Sequence, residues 1–311
     1  MTTQSADLRI RLKNVHTYVA TPFRKDDLLS IDIDAMVRNL RFLVESGVRV
    51  VAIGGGTGEF EALTPDEHVE LTRTALRAVD NRALVIATVP GNISIAHGLL
   101  GQYEELGVEV VLGMPPLIRG KIPADLAGVV EYFQLLCDCT ALPVMPYNTQ
   151  EWSAEMFCRL AEIDGIIGVK DPCHNPHELF KAIQQLGDRF VWIGNKRHDP
   201  GVLHLRYQMG IEAFTSGQSN FWPSPELELH EAALAQDWDH MIELQKLCAP
   251  LERLRMQSDD AAMVKASMDF VGLHGGPVRP PRRNITAENR EQLAATLKAL
   301  NVPTLPNENL I

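Results

Sequence analysis

Gly165-Ile166-Ile167-Gly168-Val169-Lys170-Asp171 is a short run, small or β-branched up to its last two positions, that ends on one amine and one carboxylate. A run that is apolar on both faces reads as a strand buried on both sides, the state of strands in a parallel sheet covered by helices. Comparable runs lie on either side of it: Val15–Ala20, Val48–Ile53, Leu84–Val89, Val108–Leu112 and Pro143–Met145 before, Phe190–Ile193 and Glu212–Thr215 after, eight in all. Stretches of helical period separate them, at Asp34–Ser46, Pro65–Val79, Ala96–Leu106, Ala124–Cys137, Ala154–Glu162 and Pro176–Leu186. Thr64-Pro65-Asp66-Glu67 reads as an N-cap with Pro at the first helical position and Glu at the third, and Ser153 and Asn175 stand where caps belong. Strand then helix, repeated eight times, predicts an α/β fold, a (β/α)8 TIM barrel over residues 1–235 with a short N-terminal extension. Residues 236–311 carry helical patterns and no strand of similar strength, so an appended C-terminal helical region is expected. An open doubly wound sheet is the competing arrangement, and the strand count favours the barrel.

With 311 residues, 45% of them hydrophobic and 22% charged, the chain can bury a large core. A net charge of −11 without a basic block opposes nucleic acid and anionic membrane as partners and leaves small molecules or further copies of the chain. No apolar run approaches the ~18 residues of a membrane span, and the charges interleaved through Met1–Lys13 lead us to expect no signal peptide there. The five cysteines form an odd set without framework spacing, which suits a reducing, cytoplasmic location. Cys137-Asp138-Cys139 has no second Cys/His pair at zinc spacing, and Pro176 interrupts the register between His174 and His177, so no metal is expected, His198 notwithstanding.

Active sites of such barrels are built where the strands end. The chemistry is therefore sought just after each run, in Thr21-Pro22, Gly54–Glu59, Pro90-Gly91, Pro115-Pro116, Tyr147-Asn148, Lys170-Asp171, Asn195-Lys196-Arg197 and Ser216–Asn220. A buried Lys170 has its ammonium form disfavoured, which makes a neutral amine available for a Schiff base with a carbonyl substrate. The alternative is a lysine at a strand end snorkelling into solvent. Gly54-Gly55-Gly56-Thr57-Gly58-Glu59 has neither P-loop nor dinucleotide spacing. Backbone N–H groups at Gly55 and Gly56, with the Thr57 hydroxyl, would instead cradle a carboxylate. Tyr147 can both give and take a proton, or simply pack. Lys196 and Arg197, where a helix should begin, oppose its dipole unless an anion is near, and Lys196 is the candidate partner for the distal carboxylate of a diacid. Ser216, Ser219 and Asn220 are candidates for substrate hydroxyls or for helix capping, and Asp171 either points away from the pocket and caps the following turn or has a catalytic role.

Gly55–Phe60, Tyr147-Asn148 and Gly168–Asp171, in this order and spacing, resemble the dihydrodipicolinate synthase and N-acetylneuraminate lyase family from about Thr17 to Leu300. That resemblance implies a class I Schiff-base barrel with a helical C-terminal region, no cofactor, a small 2-keto acid as substrate, and usually a homotetramer. Within the family, lysine-pathway synthases carry two adjacent threonines in the loop, an Arg where Trp152 stands, and tyrosines where Met114-Pro115-Pro116-Leu117 stands. Gly55–Phe60, Leu63–Glu67, Ser219–Pro223 and Gly276–Pro281 resemble instead the 5-dehydro-4-deoxyglucarate dehydratases, which convert a keto diacid to 2,5-dioxopentanoate with loss of water and carbon dioxide. Glu61 and Thr149-Gln150 depart from that pattern, where an aromatic residue and Arg-Asp are usual. The expected chemistry is imine formation at Lys170 with proton transfer through Tyr147 and Thr57. An aldolase or synthase acting on a pyruvate-derived carbon–carbon bond, and a non-catalytic barrel that binds a keto acid, are the alternatives.

Overall fold

The structure is a computed structural model that describes residues 3–196 and 201–306. Eight strands, β1 (Val15–Tyr18), β2 (Val50–Ile53), β3 (Leu84–Val89), β4 (Val110–Gly113), β5 (Val144–Pro146), β6 (Gly168–Lys170), β7 (Val191–Asn195) and β8 (Ala213–Ser216), follow one another around a parallel barrel. Regular pairing runs β5-β4-β3-β2-β1-β8-β7-β6, and two isolated parallel bridges, Val144 to Ile166 and Tyr147 to Lys170, close the remaining gap. Backbone hydrogen bonds across that seam run from Val144 N to Gly165 O at 2.9 Å, from Ile167 N to Val144 O at 3.0 Å and from Asn148 N to Lys170 O at 2.9 Å. The barrel thus closes through the two residues singled out for chemistry.

Among the described residues, helix α1 (Thr3–Leu12) precedes β1, and α2 (Ile33–Glu45), α3 (Pro65–Val79), α4 (Ile93–Leu106), α5 (Ala127–Asp138), α6 (Ala154–Ala161), α7 (Pro176–Leu186), α8 (Leu203–Met209) and α9 (Ser224–Leu234) alternate with the strands. The expected caps form. Thr64 and Glu67 make a reciprocal capping box, Ser153 accepts from Met156 N, and Asn175 accepts from Glu178 N. Helix α5 starts at Ala127 with Leu126 as its N-cap, later than the Ala124 expected from periodicity, because Asp125 makes a turn of its own, its carboxylate accepting from Ala127 N at 2.8 Å.

Alternation along the strands divides the core. Val50, Ala52, Leu84, Ile86, Val110, Leu112, Met145, Val191, Ile193 and Ala213 point inward and pack with Leu8 and Leu12 of α1, which plugs the end of the barrel away from the strand exits. Arg9 on the same helix donates to the carbonyls of Ile167 and Arg189 at 3.1 and 3.2 Å, tying that plug to β6 and β7. Outward-facing Val51, Ile53 and Val85 meet α2 and α3, while a chain of edge-to-face aromatic pairs, Phe133–Trp152, Trp152–Phe157 and Phe157–Trp192, packs outside β5 to β7. After α9 come α10 (Trp238–Gln257), α11 (Asp260–Phe270) and α12 (Ala287–Ala299), whose apolar faces join Ala20, Phe221 and Trp222. No helix among the described residues is long and apolar enough to cross a membrane.

Trp152 is 1% exposed and central to the aromatic chain that backs the seam. Trp152→Ala is expected to destabilise the fold by about 3–5 kcal/mol, read as a lower urea midpoint with an unchanged slope.

Candidate active site

At the strand exits a cavity of about 290 Å³ opens, lined by Tyr18, Gly56, Thr57, Tyr147, Lys170 and Ser216 from the barrel, with Arg255, Asp260 and Arg282 from the C-terminal region. Lys170 forms its floor. Its side chain is only 5% exposed, and Nζ lies 3.6 Å from the centre of the Tyr18 ring and 3.9 Å from that of Tyr147. Among the described residues no carboxylate lies within ion-pair distance of that nitrogen. Burial therefore dominates and brings the ammonium from 10.5 down to about 7, against a weaker opposing pull from Asp260. A lysine held this way is a nucleophile near neutral pH.

Tyr147 follows β5 and, through the closing bridge, stands in register with Lys170. The loop beyond it is fixed from behind: Asn148 Nδ2 donates to Asp171 Oδ2 at 2.6 Å, and Asn148 Oδ1 accepts from Gln150 N and Trp152 N at 3.1 and 3.2 Å. Asp171 also accepts from Cys173 N and so caps its own turn, while burial raises its carboxyl above the ordinary range. Trp152 sits in the core with its indole N–H on Gln150 Oε1, so no cation projects from that position into the cavity.

The glycine loop is shaped by what it must pass. A Cβ at Gly55 would come within 2.4 Å of the Tyr18 ring, and one at Gly54, where φ is +65°, within 2.5 Å of His68. A Cβ at Gly56 would meet nothing within 4 Å, consistent with that residue and Thr57 facing the open cavity. Glu59 closes the loop in the left-handed region at φ 59°, at a cost of about 1 kcal/mol for a residue with a side chain. Its carboxylate is fully buried and accepts from Lys265 Nζ on α11, and from Arg279 N at 2.9 Å. Arg279 in turn forks onto Glu67 at 2.7 and 2.9 Å and donates to Ala62 O at 2.9 Å. The tail beginning at Gly276 is thus a clamp on the loop and on the start of α3.

Three expectations are corrected. Lys196, the candidate partner for a distal carboxylate, lines the cavity, but the carboxylates it meets belong to the chain itself. It is buried, donates to Glu226 and lies 3.3 Å from Glu252. Burial works against its charge, yet Cys248 together with Glu226 and Glu252 outweighs it and holds the ammonium above its ordinary range. Ser219 and Asn220 do not reach the cavity. Ser219 Oγ bonds Ser216 O and the Thr17 hydroxyl, and Asn220 Nδ2 donates to Tyr18 O and Gly217 O, so both tie β8 to β1. Arg197 and His198 lie outside the described residues. Among those described, no group of three or more His, Cys, Asp or Glu is placed to hold a metal ion.

Sequence reading missed Tyr18, whose buried hydroxyl has no hydrogen-bond partner among the described residues and whose pKa burial pushes upward. The rule of looking at strand exits would have found it had β1 been ended at Tyr18 rather than Ala20. Arg255, Asp260 and Arg282 had no such signal, because they reach the cavity from helices and turns remote in sequence.

The profile of the Dihydrodipicolinate synthetase family matches residues 11–300. A probable 5-dehydro-4-deoxyglucarate dehydratase of Methylobacterium radiotolerans is 30% identical over 287 residues, 90% of this chain and 93% of its own. A 4-hydroxy-tetrahydrodipicolinate synthase of Methanococcoides burtonii is 29% identical over 285 residues, 90% of this chain and 95% of its own. Among solved structures, a dihydrodipicolinate synthase from Oceanobacillus iheyensis superposes with a TM-score of 0.88 at 23% identity, covering 96% of this chain and 99% of its own, a likeness of fold.

Between about pH 7 and 10.5 the unfolded chain binds a proton at Lys170 that the folded chain does not, so the wild-type protein gains stability from this group as pH rises through that window. Lys170→Met removes the titration. Its stability advantage over wild type is expected to be largest below pH 7, of the order of a few kcal/mol, and to shrink towards pH 10. Urea unfolding at pH 6 and pH 9 measures this, and an advantage that grows with pH would contradict a neutral buried Lys170.

Proposed function

The chain belongs to the dihydrodipicolinate synthetase family, and from that premise we propose that it is a Schiff-base hydro-lyase that dehydrates and decarboxylates 5-dehydro-4-deoxyglucarate to 2,5-dioxopentanoate. The observation that carries the reading is Lys170, a buried amine between two tyrosine rings at the floor of the cavity. Dehydratase relatives such as that of Methylobacterium radiotolerans support the substrate, as does the absence of a cation at Trp152. The enzyme is proposed to work in the cytoplasm as a homotetramer.

In this mechanism the backbone N–H groups of Gly55 and Gly56 and the Thr57 hydroxyl hold the C1 carboxylate while Lys170 Nζ attacks the C2 ketone. Water leaves, and an iminium forms. Loss of a C3 proton gives an enamine, which expels the C4 hydroxyl as water, with protons passed through Tyr147 and Thr57. The resulting iminium is conjugated to the C3–C4 double bond. It draws the electrons of the C5–C6 bond inward as C6 departs as carbon dioxide, leaving an enol at C5. Tautomerisation gives the C5 aldehyde, and hydrolysis returns Lys170. Net, one water and one carbon dioxide are lost. Lys170 with a pKa of about 7 can be nucleophilic at neutral pH without a separate base to deprotonate it.

The relative named as a 4-hydroxy-tetrahydrodipicolinate synthase favours a second reading, in which the same imine is used to join carbon to pyruvate. Borohydride added with the keto diacid is expected to leave a substrate-derived mass increment on the peptide holding Lys170, and turnover is expected to release carbon dioxide and a semialdehyde. Pyruvate as product would support aldol chemistry. A mass increment confined to other lysines would remove the proposal, and inactivity towards every 2-keto acid would favour a binding role.

A further inference from the structure

The cavity has cationic side chains in its wall besides the glycine loop, and they are not equivalent. Among the described residues, Lys170, Lys196, Arg255 and Arg282 line the cavity with a single carboxylate, Asp260. Lys170 is the reacting amine, and Lys196 is paired with Glu226 and Glu252. Arg255 gives Nε and Nη2 to Asp260 at 2.9 and 2.6 Å, and Nη1 to Glu252 at 3.2 Å. All three of its nitrogens are engaged, and Gly217 packs so closely that a Cβ there would come within 2.7 Å of Nη2.

Arg282 differs. Its Nη1 donates to Asp259 at 2.9 Å, while Nη2 stands 3.7 Å from the Glu61 carboxylate, outside hydrogen-bond reach. The Arg282 side chain is 25% exposed and that of Glu61 57%, so this second contact is loose and solvated. Arg282 also has a fixed station. It follows the tail segment in which Arg279 is locked to Glu59, which closes the glycine loop, and to Glu67 at the start of α3. The carboxylate cradle and this guanidinium therefore belong to one rigid unit, which would act as a ruler for a ligand held at both ends. A guanidinium edge accepts a carboxylate through two parallel N–H donors, a stronger contact than the one it makes with Glu61.

Resting on the proposed imine at Lys170, we propose that Arg282 binds the distal carboxylate of a 2-keto diacid and that Glu61 is the resident carboxylate which this end of the ligand displaces. Arg282 thereby selects diacids over monoacids of the same length.

The test is borohydride trapping at Lys170, titrated with 2-oxoadipate and with 2-oxohexanoate, six-carbon 2-keto acids that differ only in a terminal carboxylate or methyl group. In the wild-type protein, half-saturation is expected at a concentration about tenfold or more lower for the diacid. Arg282→Gln should bring that ratio towards one by weakening the diacid, and Glu61→Gln should widen it by removing the competing charge. The ratio is internal to each protein, so a general loss of folding does not imitate the effect. No preference in the wild type, or an undiminished ratio in Arg282→Gln, would overturn the assignment, and if Arg282→Gln does not fold, an unchanged ratio in Glu61→Gln does the same. Absence of any trapped 2-keto acid on wild-type Lys170 would instead defeat the Schiff-base reading and this inference with it.

Discussion

The burial of one amine with no counter-ion among the described residues is the constraint around which the rest is arranged. Lys170 emerges from β6 into a wall made by the rings of Tyr18 and Tyr147, whose faces favour its charged form by about a kcal/mol or two, with a weak further pull from Asp260. That is too little to hold an ammonium against desolvation, so the amine sits near its titration point. Closure of the barrel enforces the arrangement. The bridge between Tyr147 and Lys170 is part of the seam that joins β5 to β6, so the nucleophile and the phenol are set in register by backbone hydrogen bonding. Asn148 and Asp171, each one residue further on, bond to each other behind them and hold both strand exits in place.

The C-terminal region does more than cover apolar surface. Lys265 and Arg279 reach across to Glu59, a residue in the left-handed region at the end of the glycine loop, and satisfy its buried carboxylate. Breaking such a pair from one side is expensive, about 3–5 kcal/mol, because the remaining charge stays buried. The strained turn that presents Gly56 and Thr57 therefore depends on residues more than two hundred positions away in sequence. Arg255, Asp260 and Arg282 come from the same region and complete the cavity wall. A second buried network, Lys196 with Glu226 and Glu252, and Glu252 with Arg255, ties β7 to α9 and α10 just behind that wall.

Much of this was legible from the chain. The buried strands read correctly because a parallel barrel strand needs apolar residues on both faces, and the caps at Thr64, Ser153 and Asn175 because capping is a local matter of three or four residues. Lys170, Tyr147, Gly56, Thr57 and Ser216 do line one cavity, since strand exits of a barrel converge whatever their separation in sequence. Ser219 and Asn220 were misread for a reason internal to the same rule. A short turn after β8 carries polar groups that either face the mouth or staple β8 to β1, and only the path of the turn decides which.

Sequence by itself determined the alternation of strand and helix, the direction in which the strands run, and therefore the face on which an amine at the end of β6 would find its chemistry. These follow from periodicity and capping, which act over a few residues. Tertiary structure alone decided what surrounds that amine: the Tyr18 ring from β1, the neutralisation of Lys196 by two glutamates, and the half-engaged guanidinium of Arg282. Charge state and ligand preference depend on desolvation and on distances of a few ångströms between groups far apart in the chain. No local pattern encodes those distances; they exist only once the barrel has closed and its C-terminal layer has docked.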